Sequence, residues 1–133
     1  MKLLLDTHSF LWALHNPRLL SAPSRKALQS PENSVCVSVV IFWEISLKAA
    51  LGKLSFSNVT PEDYPALAIQ SGWTIHPLTP PLAASIGRLR CNPDHRDPFD
   101  RLLIWTAINE DFALVSGDTD FPFYVPQGLK ICW

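Results

Sequence analysis

Lys2-Leu3-Leu4-Leu5-Asp6-Thr7-His8-Ser9-Phe10-Leu11-Trp12-Ala13-Leu14-His15 decides the architecture of this 133-residue chain. Its three leucines form an apolar run too brief for a helix, and the run halts at an acid, so Lys2 to Leu5 reads as a strand buried on both faces. Thr7 to His15 then carries Phe10, Leu11 and Leu14 at helical spacing, and Asn16-Pro17 stops it. A buried strand that feeds a helix at once is the start of a parallel sheet with helices on both faces.

The alternation continues outward. Ser21 to Gln29 reads as a second helix, with Ser21 or Ser24 as its cap. Val35, Val37 and Val39 mark a second strand, and near Ser38 the pattern turns into a helix, apolar nearly all round, that runs to Leu51 and closes on Gly52. Thr60-Pro61-Glu62-Asp63 opens a helix to about Gln70, Trp73 to His76 is a third strand, and Thr79-Pro80-Pro81 opens a helix to roughly Arg88. Asp97 caps a helix that begins at Pro98 and extends to about Glu110, and Ala113 to Val115 and Leu129 to Ile131 complete the strands.

Composition bounds the function. An apolar fraction of 47% in 133 residues predicts one compact domain over residues 1–133 with a sizeable core. The net charge of −1 means that a nucleic-acid partner must be held by a local basic patch, not by the field of the whole molecule. Cys36, Cys91 and Cys132 lack the paired spacing of a zinc site and fit a reducing compartment. The Met1 to Leu5 run is too short for a signal peptide and no run approaches bilayer length, which predicts a cytoplasmic protein with no membrane partner.

Four carboxylates sit where an α/β sheet builds its sites. Asp6 follows the first strand, Asp118 follows the fourth, and Glu44 and Asp100 lie in early turns of helices. Residues past the carboxyl ends of neighbouring parallel strands meet at one edge, so these acids can converge there. Taken singly, each has an ordinary role: Asp6 or Asp97 as a helix cap, Asp100 as a first-turn acid, Glu44 with Lys48 as an i,i+4 pair. Taken together they crowd negative charge that a divalent cation would neutralise, and oxygen-only ligation favours Mg²⁺ or Mn²⁺ over zinc.

The segments Leu3-Leu4-Leu5-Asp6-Thr7-His8, Trp43-Glu44-Ile45 with Lys48, Gly52, Lys53 and Leu54, His95-Arg96-Asp97-Pro98-Phe99-Asp100-Arg101-Leu102-Leu103-Ile104, and Leu114-Val115-Ser116-Gly117-Asp118 resemble the PIN-domain family, specifically its VapC-type toxin ribonucleases. The resemblance covers nearly the whole chain, and Asp-Pro-Phe-Asp-Arg is its most distinctive motif. It implies a three-layer α/β/α sandwich with a central parallel sheet and Mg²⁺- or Mn²⁺-dependent cleavage of RNA. By motif, Asp6, Glu44, Asp100 and Asp118 form the catalytic and metal-holding acids, and Thr7, Ser38 and Ser116 match hydroxyls that orient them. Asp120 competes with Asp118 for the last position; Phe121 three residues on favours Asp118. Asp97 either caps its helix or also joins the metal shell. A cognate antitoxin and a homodimer are the partners that the resemblance implies.

Arg88, Arg90, Arg96 and Arg101 cluster in sequence near Asp100. Arg96 and Arg101, which flank it, are the candidates for holding substrate phosphate, together with Lys48. His8 and His95 read as ordinary loop or structural histidines, and Trp12, Phe42, Trp43 and Trp105 as core. Three functions remain open at this point: a ribonuclease toxin, a metal-dependent DNA nuclease on the same acids, and a binding domain without catalysis. The full set of acids argues against the last, because a pure phosphate binder gains nothing from negative charge in its groove.

Overall fold

The computed structural model describes all residues, Met1–Trp133. Five parallel strands form one sheet in the order β3-β2-β1-β4-β5, with β1 Lys2–Leu5, β2 Ser34–Ser38, β3 Thr74–His76, β4 Ala113–Val115 and β5 Lys130–Cys132. Helices α1 Thr7–His15 and α2 Ala22–Gln29 connect β1 to β2, α3 Val39–Ala50 and α4 Tyr64–Gln70 connect β2 to β3, and α5 Pro80–Ser85 and α6 Pro98–Asn109 lead to β4. Crossovers run one way from β1 to β3 and the other way from β3 to β5. Right-handed connections therefore cover both faces and give the three-layer α/β/α sandwich. Leu3, Leu4 and Leu5, on alternating faces of β1, are all fully buried, as a strand covered on both sides requires.

Local chemistry explains the element boundaries. Val39 opens α3 and does not close β2, because the Ser38 hydroxyl accepts the Val40 amide at 3.2 Å and turns the chain into the helix. Ser21 caps α2, with Ser24 N–H on its hydroxyl. Gly52, at φ +72°, ends α3 in the left-handed conformation expected there. Single tight turns of 3₁₀ helix lead into α4 at Pro61–Asp63 and follow α5 at Ile86–Arg88. Another such turn, Pro17–Leu19, follows α1, and a longer 3₁₀ segment, Phe121–Gln127, lies between β4 and β5. No helix is long and apolar enough to cross a membrane.

The strand order matters for the site. β1 and β4 are the neighbours from which successive connections depart in opposite directions, so the crevice past their carboxyl ends is the topological switch point at which such sheets bind ligands.

Candidate active site

Asp6 occupies that point. Its N–H donates to the Val115 carbonyl at 3.2 Å, carrying the β1–β4 pairing one residue beyond the strand, and its Oδ1 accepts the Ser9 amide at 2.7 Å as the cap of α1. Burial pushes the Asp6 carboxyl above its ordinary range, against the neighbouring Ser116 hydroxyl and Ser9 amide. On the β4 side, the Asp118 N–H donates to Ser116 Oγ at 3.1 Å, and Asp118 Oδ1 accepts the Asp120 N–H at 2.8 Å. Asp6, His8, Trp12, Gly117 and Asp118 line an open cleft of about 280 Å³.

A second group of acids adjoins it. Glu44, on the second turn of α3, is 2% exposed; its Oε1 accepts the Thr7 hydroxyl at 2.9 Å and its Oε2 pairs with Lys48. Asp97 caps α6, with Oδ1 accepting the amides of Phe99 at 2.8 Å and Asp100 at 3.2 Å. One oxygen from each of Glu44, Asp97 and Asp100 lies within 4.8 Å of the others. Burial drives the Asp100 carboxyl up to about 7; the charges of Asp97 and Glu44 add to the rise, and a hydrogen bond from His95 opposes it. Burial draws the Lys48 pKa down, but Glu44, with Asp97 and Asp100 beyond it, outweighs that and leaves the ammonium above its ordinary value.

Thr7 joins the two groups, since it directly follows Asp6 and bonds Glu44. The tight triad is thus Glu44, Asp97 and Asp100, with Asp6 and Asp118 around the adjoining cleft. Asp97 caps the helix and also contributes an oxygen to the acidic cluster. Asp120 is exposed and does not line the cleft. Of the three hydroxyls, Thr7 bonds an acid, Ser116 lies beside one, and Ser38 accepts the Val40 amide as the cap of α3. Arg96 is exposed and donates to the Pro93 carbonyl at 3.3 Å. Arg101 is half-buried and braces the loop by donating to the His95 carbonyl at 3.2 Å.

The donor set suits a hard divalent cation. Three carboxylates converge, oxygen is the only ligand type, and the sole cationic side chain paired with them is that of Lys48. Burial is the main reason that the Asp100 pKa is elevated, and the neighbouring charges of Asp97 and Glu44, which a divalent ion would offset, add to it.

His95 was missed as a site residue. It is 5% exposed, with Nε2 at 2.9 Å from Asp100 Oδ2 and Nδ1 at 3.1 Å from the Tyr124 hydroxyl. With Asp100 ionised, Nε2–H donates to the carboxylate and Nδ1 accepts the Tyr124 O–H, whose oxygen accepts the Asn92 amide at 3.3 Å. The relay fixes the orientation of Asp100. Replacing His95 by alanine should weaken Mn²⁺ binding by about 10–100-fold, the usual cost of losing a residue that orients a ligand. Calorimetric titration would check this, and unchanged affinity would make the contact incidental.

A family model described as PIN domain matches residues 3–124. No curated protein is similar enough in sequence to register as a match. Among solved structures, the chain is similar to VapBC2 from Rickettsia felis bound to a promoter DNA fragment, at 16% identity and TM-score 0.71, covering 98% of this chain and 97% of that one. It is also similar to DNA-bound VapBC from Salmonella typhimurium, at 17% identity and TM-score 0.67, over 98% and 96%. A third is VapBC-5 from Mycobacterium tuberculosis, of the VapBC family of toxin-antitoxin systems, at 17% identity and TM-score 0.60, over 98% and 97%.

Proposed function

The chain belongs to the PIN-domain family, and on that premise we propose that it is a Mg²⁺- or Mn²⁺-dependent endoribonuclease, the toxin of a toxin–antitoxin pair. The observation that carries this reading is the convergence of Glu44, Asp97 and Asp100 within 4.8 Å beside Asp6 at the sheet's switch point. The similarity to structures from toxin–antitoxin systems supports the biological role and a cognate antitoxin as partner.

In this reading Glu44, Asp97 and Asp100, with Asp6 and Asp118 from the adjoining cleft, would hold the ion beside the place of the phosphodiester. The bound ion would polarise a nonbridging phosphate oxygen and make an attacking water more acidic. The Ser9 amide and the Ser116 hydroxyl orient the Asp6 carboxylate, which borders the phosphodiester as the candidate to accept that water's proton. Thr7 fixes one oxygen of Glu44, Lys48 neutralises the other, and His95 fixes Asp100. Arg96, exposed beside the cluster, is the residue free to meet substrate phosphate.

The test is digestion of a panel of tRNA, rRNA, mRNA and single-stranded DNA with Mg²⁺, with EDTA and for Asp6→Asn. Cutting of RNA should be lost under both perturbations with the fold intact. Equal activity in EDTA would defeat the mechanism, and equal cutting of DNA would remove the RNA assignment.

We also propose a homodimer through α3. Val39, Trp43, Leu47 and Leu51 recur every four residues on one face and remain exposed, Trp43 by 58% and Leu51 by 61%. An apolar stripe of this kind marks an interaction surface. Trp43→Asp should convert a two-chain mass to one chain in sedimentation; an unchanged dimer would place the contact elsewhere.

A further inference from the structure

His8 and Trp12 line the cleft that Asp6 and Asp118 share, and a third ring, that of Trp133, packs at its edge against Trp12 and Gly117. His8 and Trp12, one turn apart on α1, have centroids 5.7 Å apart and planes tilted by 48°, and Trp12 faces Trp133 at 6.1 Å and 50°. Sheet register delivers the third ring. Val115 pairs with Cys132, so Trp133 emerges from β5 alongside Ser116 and Gly117. A Cβ on Gly117 would fall 2.5 Å from Trp133 Cε2 and 2.6 Å from Cζ2, so the indole lies directly on the backbone leading to Asp118, and only glycine permits it.

These rings are not core. Of the four residues expected in the core, Phe42 and Trp105 pack against the buried cluster, whereas Trp43, 58% exposed, and Trp12 do not; Trp133 also stays outside it and keeps 39% of its surface exposed. Large apolar surface left in water beside a cleft calls for an occupant.

Resting on the nuclease reading above, we propose that His8, Trp12 and Trp133 form a stacking wall for an unpaired nucleobase next to the phosphodiester that is cut. The cleft offers two carboxylates and neither lysine nor arginine, so a strand entering it gains no phosphate salt bridge there and must be held by its base. The rings are tilted by 48° and 50° and are not stacked face to face on one another. Every base has a π-face, so such a wall accepts any unpaired strand, favours bases that stack strongly and excludes paired ones.

The test is steady-state cleavage of a single-stranded RNA oligonucleotide. Trp133→Ala should raise KM about ten-fold, the scale of one lost base–aromatic stack, with a smaller fall in kcat. Gly117→Ala should do the same, since its Cβ displaces the indole. Adding Gly117→Ala to Trp133→Ala should cost nothing more, because the clash is gone. Trp133→Phe should recover most of the affinity. If the parent protein cuts nothing with Mg²⁺ or Mn²⁺, the nuclease reading and the wall fall together. If it cuts RNA and Trp133→Ala leaves KM and the cut-site pattern unchanged, the wall alone is overturned. Lost antitoxin binding with unchanged oligonucleotide KM also overturns it, and makes the rings a protein-docking surface.

Discussion

Asp100→Asn is expected to lose metal-dependent cutting by about a thousand-fold or more, the scale of removing one essential preorganised charge, while its metal-free form becomes more stable than the parent. The two effects share a cause. The Asp100 carboxyl is raised from 3.8 to about 7, first by burial and then by Asp97 and Glu44. A carboxyl raised on folding favours the fold in its protonated form: that stability is complete below pH 4 and is lost as pH rises through 7. At pH 8 the parent therefore carries the full penalty, at most about 4 kcal/mol. Asparagine is neutral at any pH and keeps an oxygen to accept the His95 hydrogen bond. The variant should melt above the parent at pH 8 in EDTA, with the difference vanishing near pH 4. Adding Mn²⁺ should raise the parent's melting temperature and leave the variant's unmoved. A variant less stable than the parent at pH 8, or one that still binds Mn²⁺ and cuts, would contradict the placement of Asp100 at the centre of the acidic cluster.

The fold was legible where its determinants are local. Leu3-Leu4-Leu5 ending at Asp6, Ser21 before α2, Thr79-Pro80 before α5 and Asp97-Pro98 before α6 all act within four residues, and each marks its element correctly. The turn at Phe121–Gln127 was not legible, because Pro122 and Pro126 read as breakers and its order comes from Phe121 and Tyr124, which are buried in the core. The same division runs through the site. Asp-Pro-Phe-Asp declares a helix start, but that Asp97 lies near Glu44, 53 positions away in sequence, depends on α3 and α6 packing together. His95 looked ordinary because the hydroxyl that fixes its ring lies on Tyr124, 29 residues on. Trp12 showed helical spacing and was taken for core, since nothing near it reveals that β5 brings Trp133 across the cleft. Hydrophobic period and caps report on one element at a time; the second layer of a site is written in contacts between elements.

Lys48→Met should destabilise the metal-free protein and, in the same variant, tighten divalent-ion binding. Glu44 is 2% exposed, and its two oxygens have one partner each, the Thr7 hydroxyl and the Lys48 ammonium. The i,i+4 spacing first suggests a surface pair worth a few tenths of a kcal/mol. Burial of Glu44 changes the scale, because removing one partner leaves a carboxylate out of water without its counter-charge. The expected loss is about 2–3 kcal/mol, below the roughly 3–5 kcal/mol of a fully buried pair because Lys48 is itself 34% exposed. Methionine keeps the apolar stem, so the loss reports charge and not packing. Lys48 also opposes a cation at the triad, and without it the site is more negative by one charge. Mn²⁺ should therefore bind the variant more tightly and restore more stability to it than to the parent. A Lys48 that served mainly to hold substrate phosphate would behave differently: its loss would raise KM and leave the metal-free melting temperature alone. Urea unfolding with and without Mn²⁺, beside RNA-cleavage kinetics, separates the two roles, and an unchanged unfolding midpoint in EDTA would show that Glu44 does not depend on this partner.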